Sequence, residues 1–205
     1  MPASVLVIPT GSANIASMLA GLARIGAAPE LSSDPDRIAD APAVVLPGVG
    51  TLASAMTTIR AHALEHALRA RIERDLPTLC VCVGLQALLE GSEESPGVAG
   101  LGIVPGIAER FTGVRSPQMG WNRVVSPPAA RILATGDAYF ANSFRLVRPP
   151  EGFLCATADH AGPFVAAFER GNLVACQFHP ELSGRYGLGV MSRWLAHSRE
   201  TTRCS

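Results

Sequence analysis

The sequence contains no lysine: its 17 basic residues are all arginine, and they balance 17 Asp and Glu to a formal net charge of zero. A Walker-type phosphate loop and Schiff-base chemistry both need a lysine, so both are excluded. No basic cluster is present to grip a phosphate backbone, which argues against a nucleic-acid partner. No apolar run reaches the ~20 residues that span a bilayer. The opening MPASVLVIPTGS lacks the basic start and long apolar centre of a signal sequence. The expectation is a cytoplasmic chain without membrane contact, whose cysteines (80, 82, 155, 176 and 204) stay reduced. No CxxC pair occurs, and Cys80 and Cys82, two apart on a strand, would share a face with no second pair opposite them. A metal site is not expected. With no repeat, linker or composition break, residues 1–205 read as one domain.

What is present is a regular alternation. SVLVIP (4–9), AVVLPGVG (43–50) and PTLCVCVG (77–84) are short buried-type strands, each leading into a helical pattern. The first helix, NIASMLAGLARIGA, has Asn14 as its expected N-cap and Gly26 as its C-cap. The second is expected to run unbroken from Ala55 to Asp75, and the third is the short LQALLEG. This order predicts an α/β fold with a doubly wound, mostly parallel sheet flanked by helices. Beyond Gly91 the strand candidates follow one another, around 102–108, 121–125, 138–143, 153–157, 164–168 and 173–178. They read as an antiparallel extension of the same sheet, closed by the helix GLGVMSRWLAHSRE, with TTRCS expected to fray.

Four short motifs compete for the chemistry. VVLPGVGTLASA fits a GxGxxA dinucleotide turn through Gly48, Gly50 and Ala53, but the next strand offers no acidic residue for a ribose. A tight strand-to-helix turn explains it more simply. HALEH (62–66) fits HxxEH, yet its helix is rich in Ala, Arg and Glu, as a solvated face would be. CVCVGLQ has the layout of a nucleophile elbow: Cys82 at the apex, Gly84 allowing the helix to close on the strand, Cys80 buried and inert. CQFHPELSG supplies His179 and Glu181, which on an extended backbone would point the same way, with Pro180 between them opposing a helix. A carboxylate beside an imidazole orients it and stabilises its protonated form, as the third member of a triad does.

PGVG, CVCVGLQ and HPE, in that order, resemble the class I (triad) glutamine amidotransferases, a flavodoxin-like family. LEGSEESPGVAGLGIVPG, PQMGWN (117–122) and YFANSF (139–144) are similar to its imidazole glycerol phosphate synthase branch, and Leu85 stands where other branches usually carry His and this one Met. The resemblance spans nearly the whole chain and implies hydrolysis of glutamine to glutamate and ammonia through a thioester, without a cofactor. It implies Cys82 as nucleophile, His179 as general acid/base and Glu181 as its orienting carboxylate. Gly48, Gln86, Glu94, Asn142, Ser143 and Phe144 would hold the substrate, and the N–H groups of Val49, Gly50 and Val83 would form an oxyanion hole. Asn14, Met119, Trp121 and Asn122 would face the partner, a (β/α)₈-barrel cyclase subunit that takes the ammonia into histidine biosynthesis. The glycine-rich PGVG turn suggests a hole left misformed until the partner binds.

The chain departs from the branch at Pro9-Thr10-Gly11, Ala13, Cys80, Leu182 (usually Lys), Gln118 and Asn142. None of these touches the triad. Two other readings stay open: a glutaminase for another synthase, or a non-catalytic binding module on the same fold.

Overall fold

The computed structural model describes residues 2–10 and 15–203, with side chains through Ser198. Its first four strands and five helices run β1 (Ala3–Val7), α1 (Ile15–Arg24), β2 (Ala27–Leu31), α2 (Pro35–Asp40), β3 (Val44–Gly48), α3 (Leu52–Ala61), α4 (Leu64–Glu73), β4 (Thr78–Cys82) and α5 (Val83–Leu88). There follow β5 (Gly91–Ser92), β6 (Ile107–Arg110), β7 (Gln118–Val124), β8 (Gly136–Asn142), β9 (Phe144–Arg145), β10 (Leu154–Asp159), β11 (Pro163–Arg170), β12 (Leu173–Cys176), a 3₁₀ turn (Pro180–Leu182) and α6 (Gly184–Arg203).

Seven strands form the main sheet in the order β10-β11-β12-β4-β3-β1-β2. From β12 to β2 the pairing is parallel, while β10 and β11 add an antiparallel edge. The parallel strands are apolar on both faces because both faces are covered. Successive residues divide between two cores: Val5, Val7, Val45 and Val81 pack with α1 and α6, through Met18, Leu22, Met191 and Trp194. Leu6, Ile8, Val44, Leu46 and Cys80 pack with α2, α4 and α5, through Ile38, Leu68 and Leu88. Such period-two division is what a doubly wound sheet requires.

The extension beyond Gly91 differs from the expectation of one continuous sheet. β5, β6 and β9 form a small three-stranded sheet, and β7 with β8 a separate ribbon. The helix expected over 55–75 is two helices, because Ala63 takes a left-handed φ of 54°. The break turns the chain so that Met56, Ile59, Leu64 and Leu68 all enter one core. It also separates His62 from His66, both exposed, and no metal-binding group of His, Cys, Asp or Glu occurs among the described residues. β2 and α2 have no strong periodicity, but Asp34-Pro35 marks the helix start. The Asp34 carboxylate accepts from the Asp36 and Arg37 amides, and Pro35 needs no partner for a missing N–H. Gly26 caps α1 at φ 79° as expected, whereas Asn14 lies outside the described residues. The terminal TTR continues α6 instead of fraying from Thr201. No described helix is long and apolar enough to cross a membrane.

At the lower end of the sheet the fully buried Arg71 closes the layers. Its guanidinium donates to the Thr78 hydroxyl and to the carbonyls of Ile38, Ala41 and Pro77. Burial lowers its pKa to about 10, so it still carries charge at neutral pH.

At the upper end two glycines set the distance between strand and helix. A Cβ on Gly84 would lie 2.1 Å from the Leu46 carbonyl oxygen, and one on Gly48 would lie 2.7 Å from the Gly84 nitrogen. Both contacts are with backbone, which cannot rotate aside. Gly84→Ala is therefore expected to destabilise the chain by about 2–3 kcal/mol. Urea unfolding checks this: the midpoint should fall with the slope unchanged, and an unshifted midpoint would refute the close-packing argument.

Candidate functional site

β3, β4 and β12 end side by side, with Gly48 opposite Cys82 in register. The carboxyl ends of parallel strands are where such sheets place ligands. At the end of β4 the backbone reverses sharply: Cys82 has φ 54° and ψ −109°, and α5 begins at the next residue. A non-glycine residue in this region is strained, and the Gly48–Gly84 approach holds it there. The bend also corrects the expectation that Cys80 and Cys82 share a face. Cys80 points into the α4 side of the core, and Cys82 into the opposite cluster.

Burial pushes the Cys80 thiol up to about 12, with nearby Arg71 acting the other way. Burial likewise raises Cys176 well above its ordinary value and Cys155 to about 11. These three are neutral thiols near pH 7.

The chain returns to the site after β12. His179 has an extended conformation, but Pro180 opens a 3₁₀ turn instead of preventing a helix, and Glu181 lies within that turn. The carboxylate still reaches the imidazole, with Glu181 Oε1 2.9 Å from His179 Nδ1, in a pair whose side chains are only 5% and 2% exposed. Two helices close on this turn through missing side chains. A Cβ on Gly187 would lie 1.9 Å from the Pro180 carbonyl oxygen, and one on Gly21 would lie 3.4 Å from the Glu181 Cβ. The Ser183 hydroxyl donates to the His179 carbonyl at 2.6 Å and accepts from the Tyr139 amide at 2.9 Å. Tyr139 in turn accepts from the His179 amide at 3.0 Å.

His179 hydrogen-bonds to Cys82 on one side and Glu181 on the other. Burial opposes protonation of the ring, yet the two hydrogen bonds and the negative charge of both partners outweigh it and lift the pKa to about 10. A cationic imidazole is thus held against the sulfur.

Gln86 and Gln177 complete the floor. Gln177 Nε2 lies 3.6 Å from the Cys82 sulfur, and Gln86 Nε2 donates to Gln177 Oε1 at 3.3 Å. The motifs singled out Gln86 but not Gln177, although Gln177 sits two residues before His179, where strand alternation would have aimed it at the same site.

Val49 and Gly50 follow β3, with Gly50 at φ 86°, and Val83 is the first residue of α5. Glu94, half-buried, hydrogen-bonds to the Leu52 amide at the start of α3; burial raises its pKa, against that bond and the charge of Arg110. Arg110 lies over the Phe144 ring, 5.0 Å from its centre, so Glu94, Arg110 and Phe144 form one group. Arg110 was not singled out by any motif.

The main chain of residues 142–144 is largely committed. Ser143 accepts from the Phe111 amide, and the Asn142 side chain donates to the Phe144 carbonyl.

On the β7–β8 ribbon, Met119 and Trp121 are 65% and 61% exposed. Asn122 faces the other way and donates to the Asp159 carbonyl at 2.8 Å. A cavity of about 520 Å³ lies alongside, lined among others by Arg115, Gln118, Trp121 and His160.

Comparison with known proteins agrees with this arrangement. Residues 13–193 match the family model of glutamine amidotransferase class-I. The chain is 40% identical over 195 residues to the imidazole glycerol phosphate synthase subunit HisH of Moorella thermoacetica, covering 93% of each. It is 36% identical over 199 residues to the chloroplastic imidazole glycerol phosphate synthase hisHF of Arabidopsis thaliana, covering 93% of this chain and 34% of that longer protein. A solved structure described as a glutamine amidotransferase shares the fold at TM-score 0.78, with 19% identity and 95% and 98% of the two chains covered. With its elbow cysteine and paired His179 and Glu181 at the ends of a parallel sheet, the chain belongs to the class-I glutamine amidotransferase family, in the branch of the HisH subunits.

Proposed function

We propose that this chain is the glutaminase subunit of an imidazole glycerol phosphate synthase, hydrolysing glutamine at Cys82 and passing ammonia to a cyclase subunit in the cytoplasm. The observation that carries the reading is the buried His179–Glu181 pair set against the sulfur of a strained elbow residue. Cys82 Sγ attacks the carboxamide carbon as a thiolate. The oxygen gains charge near the amides of Val49, Gly50 and Val83, where one such donor is typically worth about 10²–10³ in rate. His179, held protonated and oriented by Glu181, gives its proton to the departing nitrogen, and ammonia leaves. Water, deprotonated by the now neutral His179, then cleaves the γ-glutamyl thioester, releasing glutamate and restoring the thiolate–imidazolium pair. Gln86 and Glu94 hold the substrate, with the 142–144 segment along its edge.

Docking falls to the face carrying Met119 and Trp121, since large exposed apolar side chains on a ribbon otherwise bound to the body suit a protein contact. The longer hisHF relative fits a partner that can be joined to this chain. Leu182, half-exposed beside the HPE turn, makes this edge of the face apolar.

Glutamate release tests the reaction. The chain with the cyclase and its nucleotide ligand should turn over glutamine much faster than the chain alone, and Cys82→Ala should abolish the activity. Glu181→Gln should lower kcat by about 10²–10⁴ by losing the orienting charge. Turnover surviving in Cys82→Ala would end the reading. Stimulation by a different synthase would move it to another pathway.

The ionisation of His179 has a consequence for stability. Its pKa is raised from an unfolded value of ~6.5 to about 10, so folding favours the protonated ring. The stabilisation is complete below the unfolded value and is lost as pH rises through the folded one. The melting temperature of the chain should fall between pH ~7 and ~10, and His179→Asn should flatten that decline. An equal decline in both proteins would show that the ring is not held protonated.

Trp121→Ala should raise the Kd for the cyclase about 30-fold, the ~2 kcal/mol of an aromatic anchor. An unchanged Kd would place docking elsewhere.

A further inference from the structure

Gln177 and Gln86 are both buried, at 1% and 3% exposure, and their order beneath the sulfur is informative. A thiolate can only accept hydrogen bonds, so the group facing it must be a donor. Gln177 presents its Nε2 to Cys82 at 3.6 Å. Its carbonyl oxygen must then face the other way, and there it takes Gln86 Nε2 at 3.3 Å. That leaves Gln86 with its own carbonyl oxygen as the outer end of the chain. This oxygen is buried without a hydrogen-bond partner. A buried acceptor left in this state costs free energy until a donor arrives. Glutamine brings such donors in its carboxamide and its ammonium group. The backbone of Gln177 is fixed independently, its amide donating to the Ala166 carbonyl at 2.8 Å, so the side chain starts from a set position.

We propose that Gln177 polarises a two-amide relay from Cys82 to the substrate: it donates to the sulfur and, by holding Gln86 in one amide orientation, leaves the Gln86 carbonyl to accept from bound glutamine. The proposal deepens the glutaminase reading and rests on it for the identity of the ligand. The relay couples two properties that would otherwise be independent, the charge on the nucleophile and the affinity for substrate. With a thiolate present, only one orientation of both amides satisfies every contact. With an apolar residue at position 177, Gln86 is free to turn its NH₂ group outward and the sulfur loses a donor.

The test uses the full chain assembled with the cyclase, carrying Gln177→Leu or Gln177→Glu. Alkylation of Cys82 by iodoacetamide is followed against pH, and kcat and KM for glutamine are measured in parallel. Gln177→Leu should shift the acid limb of alkylation upward by about one pH unit, a tenfold loss of thiolate below it. The KM for glutamine should rise about tenfold for one lost hydrogen bond.

Gln177→Glu reads the polarity directly. Its carboxyl group can donate to sulfur while protonated, but once ionised it places a like charge beside the thiolate. The ratio of its alkylation rate to that of the wild type should therefore fall as the carboxyl group ionises and recover only where both thiols are fully ionised. A residue that merely filled space would leave that ratio flat. Wild-type alkylation profiles in both variants, with unchanged KM, would overturn the relay. Shifted alkylation in a complex that hydrolyses no glutamine would instead uphold the relay and refute the glutaminase reading.

Discussion

The site depends on one constraint, the backbone contact between β3 and the start of α5. Leu46 and Gly84 approach so closely that no side chain fits between them. Because α5 is drawn down onto the strand, the chain must turn within a single residue, and Cys82 takes the strained φ of 54°. Such strain typically costs ~1–3 kcal/mol and persists only where packing over-determines it. Here the packing is the fully buried α5, whose six residues are all enclosed. The same turn lifts Cys82 out of the strand's alternation, placing its sulfur by His179 and Gln177 while Cys80 stays in the opposite core. Two cysteines of equal chemistry thereby acquire different surroundings through one dihedral angle.

Around that sulfur the site is built almost wholly from buried polar groups. His179, Gln86, Gln177 and Ser183 are each less than 5% exposed, so their interactions are weakly screened and incomplete ones are costly. The imidazole shows the balance: burial disfavours its charge, yet its interactions with Cys82 and Glu181 raise its pKa to about 10. The incomplete valence at Gln86 is at the opposite extreme, an acceptor with no donor. A site that is satisfied around Cys82 and unsatisfied at the Gln86 end is organised before any ligand arrives. That is where preorganised electrostatics gains most over water.

The sequence carried the elbow, the His–Glu pair and the parallel half of the sheet, because each rests on local rules. Buried strands are apolar throughout, tight approaches need glycine, and alternation brings residues two apart together. Where those rules met a backbone exception the reading failed. Ala63 has no feature marking it as left-handed, so one helix was expected where there are two. Pro180 opposes a continuing α-helix, yet a proline at the first position of a 3₁₀ turn is equally compatible with its fixed φ. The division of the later strands into a ribbon and a small sheet depends on long-range pairing that no short window contains. Gln177 was legible by the same alternation that identified His179. It was missed because an amide has no reputation as a reactive group, although it touches the sulfur.

The ribbon and the site are not independent. Tyr139 lies on β8, its ring packed edge-on to Trp121 with centroids 6.2 Å apart. Both polar groups of its backbone are bonded to the turn that carries His179 and Glu181, the carbonyl to the His179 amide and the amide to the Ser183 hydroxyl. The ribbon belongs to neither of the other sheets, yet Val124, Ala138 and Phe140 enter the core shared with the parallel strands, and Val125 bridges to Thr157 of β10. Trp121 is thus linked, through Tyr139, to hydrogen bonds that end at His179 and Ser183. Those bonds cannot lengthen without moving the imidazole relative to Cys82, and a hydrogen bond at this distance weakens steeply with misalignment.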